Sequence, residues 1–155
     1  MGSFKQFRRE LIKYIREIEW INPFALTLTL KQRQFNKSLG LIQVSVSIRH
    51  FLNRLNRAIF GNASKRYKKS IQFVPVIEYG PDTRYHIHAI IDCPTKLNES
   101  ILQTKIQAAW NDTDYGYNHI HLQPIQNDGW TNYITKFSTK PDYALSIDWE
   151  NVRRQ

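Results

Sequence analysis

The sequence predicts an α+β fold, in which helices pack on one face of an antiparallel sheet and leave the other face open. Stretches with apolar residues at every second position, typical of strands, alternate with stretches whose apolar residues lie three or four apart, typical of helices. After a first helix the order is strand, helix, hairpin, helix and strand, which is that of a ferredoxin-like or RRM-like sheet. We expect the open face to be the binding surface and to carry the metal site.

Length and composition indicate one domain over residues 1–155. A chain of 155 residues with 41% hydrophobic content can bury a substantial core without covalent staples. The single cysteine, Cys93, excludes an internal disulfide and a cysteine-based zinc site. Because the chain has no apolar run of about 18 residues and no signal-peptide pattern, we expect an intracellular protein.

The charge of the chain favours nucleic acid as a partner. The formal net charge is +9 and the pI is near 9.8. Lysine and arginine release condensed counterions when they meet a polyphosphate, so such an excess favours binding to DNA or RNA. An acidic membrane surface is the alternative, but no helix combines a dense basic face with a strong apolar face, and we expect no membrane partner.

Periodicity places the elements along the chain. Helical spacing predicts helices over 4–19, 44–59, 97–110 and 130–137. Alternation predicts strands over 24–30, 71–79, 84–91 and 117–125, while 143–149 is either a strand or irregular. Pro75 predicts an edge or an irregularity in its strand. The segment 80–83 joins two of the strands as a hairpin.

Two polar regions are candidate DNA contacts. In the first strand, Thr27 and Thr29 alternate with leucines and so share one face, and a polar connection containing Arg33 follows. The second region is a basic loop around an aromatic ring, Lys65, Arg66, Tyr67, Lys68 and Lys69. Such a run is either a solvated loop or a surface that holds a single strand by its phosphates and stacks on a base.

A pair of histidines is the candidate centre of the site. His86 and His88 lie two residues apart in a strand, so their side chains point to the same face. Ile87, Ala89 and Ile91 point to the opposite face, where a core can cover them. Two imidazoles on one face can chelate a cation, although a histidine pair on a strand can also be purely structural.

A third ligand is needed to complete a divalent site, and Glu78 is placed to supply it. It lies at the end of the strand that pairs with the histidine strand through a tight turn. The alternative interpretation of Glu78 is a carboxylate at the end of the hairpin that faces solvent. A second pair, His119 and His121, also falls in a strand and competes for the role of metal site. We favour the first pair because of its neighbouring carboxylate, and expect the second pair to pack or to touch DNA.

Tyr133 and Lys136 are candidate catalytic residues. They lie three apart in a predicted helix and therefore share one surface. A tyrosine can attack phosphorus when a cation polarises the phosphate. The pattern is short, however, and Tyr133 could equally be a core aromatic.

Together these motifs resemble the HUH endonucleases, in particular the single-tyrosine rolling-circle replication initiators, or Rep proteins. Phe24–Thr29 is similar to motif I, Tyr85–Ile91 to the HUH motif and Tyr133–Lys136 to the Tyr-x-x-Lys motif, in the family's order. Glu78 matches the carboxylate that such proteins add as a third ligand. The resemblance covers roughly residues 24–137.

The resemblance implies a metal-dependent single-stranded DNA endonuclease that joins strands through a 5′-phosphotyrosine intermediate. Glu78, His86 and His88 would hold Mn²⁺ or Mg²⁺, Tyr133 would be the nucleophile, and Lys136 would assist it. The DNA contacts would come from Thr27, Thr29, Arg33, Lys65, Arg66, Tyr67, Lys68 and Lys69. The implied partners are the single-stranded DNA of a replication origin, associated with a hairpin, and the host replication machinery or a helicase. The implied location is the cytoplasm or nucleoid if the protein is prokaryotic, and the nucleus if it comes from a eukaryotic virus.

Three rival functions remain. The transposases of the HUH class tend to carry Tyr-x-x-x-Gln, but residue 137 is Phe. Relaxases usually carry a three-histidine metal cluster and an N-terminal tyrosine, which this chain lacks. An RRM-like binder without enzymatic activity is the rival from another class, although its usual stacking aromatics are replaced by Thr27, Thr29, His86 and His88. We expect no helicase domain, because no Gly-x4-Gly-Lys-Ser/Thr loop is present.

Overall fold

Five antiparallel strands form the central sheet of the protein. The computed structural model describes residues 3–80, 84–126, 129 and 144–154. The helices are α1 (Ser3–Arg16), α2 (Leu41–Phe60), α3 (Ala63–Arg66) and α4 (Glu99–Asn111). The strands are β1 (Pro23–Leu30), β2 (Arg33–Gln34), β3 (Lys37–Ser38), β4 (Phe73–Tyr79), β5 (Tyr85–Asp92), β6 (Gly116–Pro124) and β7 (Ala144–Ile147). A single 3-10 turn, Trp149–Asn151, follows β7.

The sheet has the order β6-β1-β5-β4-β7, and β2 pairs with β3 in a separate small hairpin. The chain path β1-α2-β4-β5-α4-β6 places the two crossover helices between strands that are not neighbours, which is the split βαβ arrangement of ferredoxin-like folds. The predicted α+β fold with an antiparallel sheet is therefore confirmed. The segment left open as strand or irregular contributes β7, paired with β4 from Val76 to Tyr79.

The main core lies between the sheet and helices α2 and α4. Phe24, Leu26, Leu28 and Leu30 alternate along β1 and are all buried there, as their spacing predicts. Trp110 closes the core from α4, where its indole N–H donates to the carbonyl of Thr29 at 2.8 Å. A buried indole needs such a partner, so this bond fixes α4 against the strand that bears the two threonines.

Helix α1 packs on the opposite face of the sheet. Its buried residues Leu11 and Ile15, together with Ile18 just after the helix, form a second core with Val74 and Ile90, among others. The face that the sequence predicted to be open is therefore divided into an apolar part covered by α1 and a polar part that carries the histidines. An apolar stripe on a helix predicts burial, but it does not say which face of a sheet receives the helix.

Pro75 lies in a strand with neighbours on both sides, β5 and β7, rather than at an edge of the sheet. The Pro75 carbonyl accepts from Asp148 N at 3.1 Å, and Phe73 exchanges both backbone bonds with Arg153. Pro75, which has no N–H, thus faces the stretch where the chain leaves the ladder between Ile147 and Arg153. The irregularity predicted for this strand lies in its neighbour.

The basic segment predicted as a loop begins as helix. Backbone N–H groups of Arg66 and Tyr67 donate to Asn62 and Ala63, which closes one helical turn, α3. Lys68 then adopts a positive φ of 53°. The predicted helix 130–137 lies outside the described residues. Among the helices that are described, none is long and apolar enough to cross a membrane.

Candidate functional site

The register of the hairpin brings the predicted carboxylate to the histidines. Glu78 in β4 pairs directly with His86 in β5, and the next residue pair on that face is Val76 with His88. Residues directly opposite one another in an antiparallel ladder point to the same face. Glu78, His86 and His88 therefore lie together on the face that α2 and α4 leave free.

One carboxylate oxygen faces both imidazoles. Glu78 Oε1 lies 3.1 Å from His88 Nε2 and 3.5 Å from His86 Nδ1. The Glu78 side chain is only 1% exposed, whereas the side chains of His86 and His88 are 29% and 16% exposed. The alternative of a carboxylate in solvent is thus wrong, because the Glu78 side chain is buried and both rings contact its carboxylate.

The donor set suits a divalent cation. Two imidazole nitrogens and a carboxylate oxygen leave positions open for water and substrate. Ligands about 2.1 Å from an ion lie about 3.0–3.4 Å apart at angles between octahedral and tetrahedral, close to the Glu78 distances. Within the described part of the chain, no three such side chains form a preformed metal centre, and the carboxylate bonds His88 directly. A bound cation would therefore have to replace the direct contacts between the Glu78 carboxylate and the two imidazoles.

Strand β1 extends the histidine face, the surface formed by Glu78, His86, His88, Thr27 and Thr29. Thr27 pairs with His88 and Thr29 with His86. The Thr29 hydroxyl donates to the carbonyl of His119 in the edge strand β6. Thr29 thus links the face to the sheet edge, and both threonines lie where a strand bound to the histidines would pass.

The second histidine pair shares this face but not the site. His121 pairs with Thr27, so β1 separates it from His88, a spacing of about 10 Å across two strand gaps. His119 and His121 are exposed, His119 stacks on Tyr117, and His121 lies 3.5 Å from the amide oxygen of Gln123. His119 thus packs on a neighbouring ring at the surface, and the contact of this pair with DNA stays a prediction.

The two predicted catalytic residues, Tyr133 and Lys136, lie outside the described residues, and their roles stay predictions. Among the described tyrosines near the histidines, Tyr85 belongs to the opposite face, beside the main core. Burial, and secondly the neighbouring Tyr79, raise the pKa of the Tyr85 phenol. A phenol that resists ionisation is poorly suited to act as a nucleophile.

The predicted basic contacts fall at two ends of the sheet. Arg33 is exposed on β2, next to the end that carries Glu78 and His86, and donates to Ser38 and to the carbonyl of Asn36. The segment 65–69 precedes Phe73 at the other end of β4, about 16 Å along the strand from Glu78. A nucleic acid on the histidines can reach the segment 65–69 only with a different stretch of its backbone.

Sequence reasoning missed Gln32, which holds the small β2–β3 hairpin against the site. Its side-chain amide accepts from Tyr85 N at 2.8 Å and donates to Tyr85 O at 3.0 Å, next to His86. The Gln32 side-chain amide thus makes the two backbone hydrogen bonds to Tyr85 that a neighbouring strand would otherwise make. The sequence shows only a polar residue in a connection, so it gives no signal for this role.

Comparison with known families supports the resemblance. Residues 23–142, most of the chain, match the family described as replication-associated protein ORF2/G2P. Neither the curated proteins nor the solved structures yield a match. The chain therefore belongs to the replication-associated protein ORF2/G2P family, which gives it a role in the initiation of DNA replication and an interaction with DNA.

Proposed function

We propose that this protein is a metal-assisted tyrosine endonuclease that cleaves and rejoins single-stranded DNA at a replication origin. The carrying observation is the buried Glu78 carboxylate shared by His86 and His88 on a partly open face. A replication-associated protein with this donor set has what is needed to hold Mn²⁺ or Mg²⁺ against a phosphate. When bound, the cation would withdraw charge from a non-bridging phosphate oxygen.

The reaction uses the phenol of Tyr133. Its oxygen loses its proton to solvent and attacks the phosphorus, and the bond from phosphorus to the 3′-oxygen breaks. That oxygen takes up a proton from solvent and leaves as a free 3′-OH. The 5′-phosphate stays on Tyr133. Attack by a 3′-OH on this phosphotyrosine reverses the step, so joining requires no ATP. Lys136 would stabilise the charge that develops on the phosphate.

Binding of the strand would come from the histidine face and its flanks. Thr27 and Thr29 lie beside the histidines, and Arg33 lies at the adjacent end of the sheet. The net charge of +9 supplies a general attraction to phosphates. The segment 65–69 lies at the other end of the sheet, so it would contact a different stretch of the same strand. This requires a DNA strand that is longer than the histidine face.

The test is covalent capture of DNA. A pool of single-stranded oligonucleotides labelled at the 3′ end, incubated with Mn²⁺, should give a labelled protein band that survives SDS. Tyr133→Phe should abolish that band, and Tyr117→Phe, an exposed tyrosine of β6, should retain it. An adduct that persists in Tyr133→Phe would identify another nucleophile, and binding without any adduct would favour the RRM-like binder.

A further inference from the structure

The hairpin of β2 and β3 places a hydrophobic ring in solvent at the end of the sheet that carries Glu78 and His86. Phe35 and Asn36 form its two-residue loop, between Gln34 and Lys37. Phe35 is 65% exposed. Among the ring contacts described, its ring meets only that of Tyr115, with centroids 6.3 Å apart and the ring planes nearly perpendicular. A large apolar side chain exposed at a loop tip contributes little to a core.

The first residue of this tip holds a backbone conformation that is strained for a bulky side chain. Phe35 has a φ of 56° and Asn36 a φ of 60°, the pair of positive values that a type I′ turn requires. Asparagine tolerates this conformation, but glycine or asparagine is the usual residue at the first position, and a bulky residue is rare there. Such strain, combined with exposure, is typical of positions kept for a function.

The hairpin is also held in place and positively charged. The Gln32 amide binds the backbone of Tyr85, which attaches the hairpin to the sheet. Leu39 N donates to Gln32 O at 2.8 Å, which closes the base of the hairpin. Arg33 and Lys37 flank the tip and are both exposed. A ring between two cations is the arrangement that binds unpaired bases, by stacking on the base and neutralising adjacent phosphates.

We propose that Phe35 is a stacking residue that holds one unpaired base of the DNA strand as it leaves the histidine face. This inference rests on the proposed function for its substrate, single-stranded DNA, but it concerns binding and not cleavage. A duplex does not offer a free base face, so the ring distinguishes single strands from duplexes. Phe35 would therefore fix the register of the strand relative to the histidines.

The experiment measures stacking directly. Single-stranded oligonucleotides with one 2-aminopurine at successive positions are titrated into the full chain carrying Tyr133→Phe, which keeps the DNA intact. One position should show strong fluorescence quenching, and Phe35→Gly should remove the quenching and weaken binding about 5- to 150-fold. Phe35→Trp should restore both. Ile101→Ala, an exposed apolar residue of α4, is the control and should change neither.

Two further readouts separate stacking from structure and from charge. Because glycine adopts a positive φ without strain, Phe35→Gly should keep or raise the melting temperature while it weakens binding. The salt dependence of binding should be unchanged in Phe35→Gly but lower by about 1.4 in slope when Arg33 and Lys37 are both replaced by alanine.

The outcomes also separate this inference from the proposed function. A chain that forms the covalent adduct but binds single strands equally well with Phe35→Gly overturns the stacking role alone. Quenching that depends on Phe35 without any adduct supports the stacking role and overturns the nuclease. A lower melting temperature for Phe35→Gly, with binding and quenching unchanged, assigns the ring to the structure of the hairpin.

Discussion

The two His-x-His pairs lie on the same face of one sheet, yet their surroundings differ. His86 and His88 share the buried Glu78 carboxylate and are partly covered, whereas His119 and His121 lie on an exposed edge strand. Among the ion pairs of the described residues, none involves His119 or His121. The motif alone therefore does not produce the donor set that we propose for the cation. A buried carboxylate in the paired strand, set by the hairpin register, distinguishes the two.

The largest expected effect comes from removing one histidine of each pair. We expect His86→Ala to lower Mn²⁺-dependent adduct formation by at least about 100-fold, because it removes a ligand of the proposed site. Replacing a residue that only supports a ligand already costs about 10- to 100-fold in metal affinity or activity, so the loss of a ligand should cost at least as much. His119→Ala should stay within about threefold of the wild type, since it leaves all three ligands in place. Rates of adduct formation at matched Mn²⁺ concentrations measure both. The reverse pattern would move the site to β6.

The carboxylate itself offers a sharper test of the same comparison. Glu78→Gln keeps an acceptor oxygen for the imidazoles but removes the negative charge, so we expect Mn²⁺ affinity to fall at least about tenfold with the fold retained. Isothermal titration calorimetry gives the affinity, and circular dichroism checks the fold. Gln123→Ala, beside His121, is the matched control and should leave the affinity unchanged. Equal affinities for all three proteins would contradict a site at Glu78.

Much of this arrangement could be predicted from the sequence, because alternation and helical spacing report burial directly. The leucines of β1 and Ile87, Ala89 and Ile91 of β5 are buried in the main core as expected. The pairing of Glu78 with His86 followed from a short turn, since the turn length fixes the register of a hairpin.

Other features depend on tertiary structure and left no pattern to read. Helix α1 packs on the face of the sheet that α2 and α4 leave uncovered. Which face that is becomes fixed only when the sheet and these two helices have assembled. The β2–β3 hairpin lacks the Asn-Gly or Asp-Gly signal because Phe35 occupies the strained first position of the turn. The separation of the segment 65–69 from the histidines follows from the direction of β4, which is fixed only once the strands pair.

The smallest expected effect concerns the bond that joins the two histidine regions. Thr29→Val removes the hydroxyl that donates to the carbonyl of His119 while it keeps the branched shape suited to a strand. We expect a loss of about 0.5–1 kcal/mol in the free energy of unfolding, near the low end because water can reach the carbonyl of an exposed edge strand. Thermal denaturation should show a decrease of about 1–4 °C in melting temperature. Thr27→Val is the matched control, and no bond of its hydroxyl is described. Loss of Mn²⁺-dependent cleavage in Thr29→Val, with single-strand binding retained, would show that the bond to β6 supports the site at Glu78.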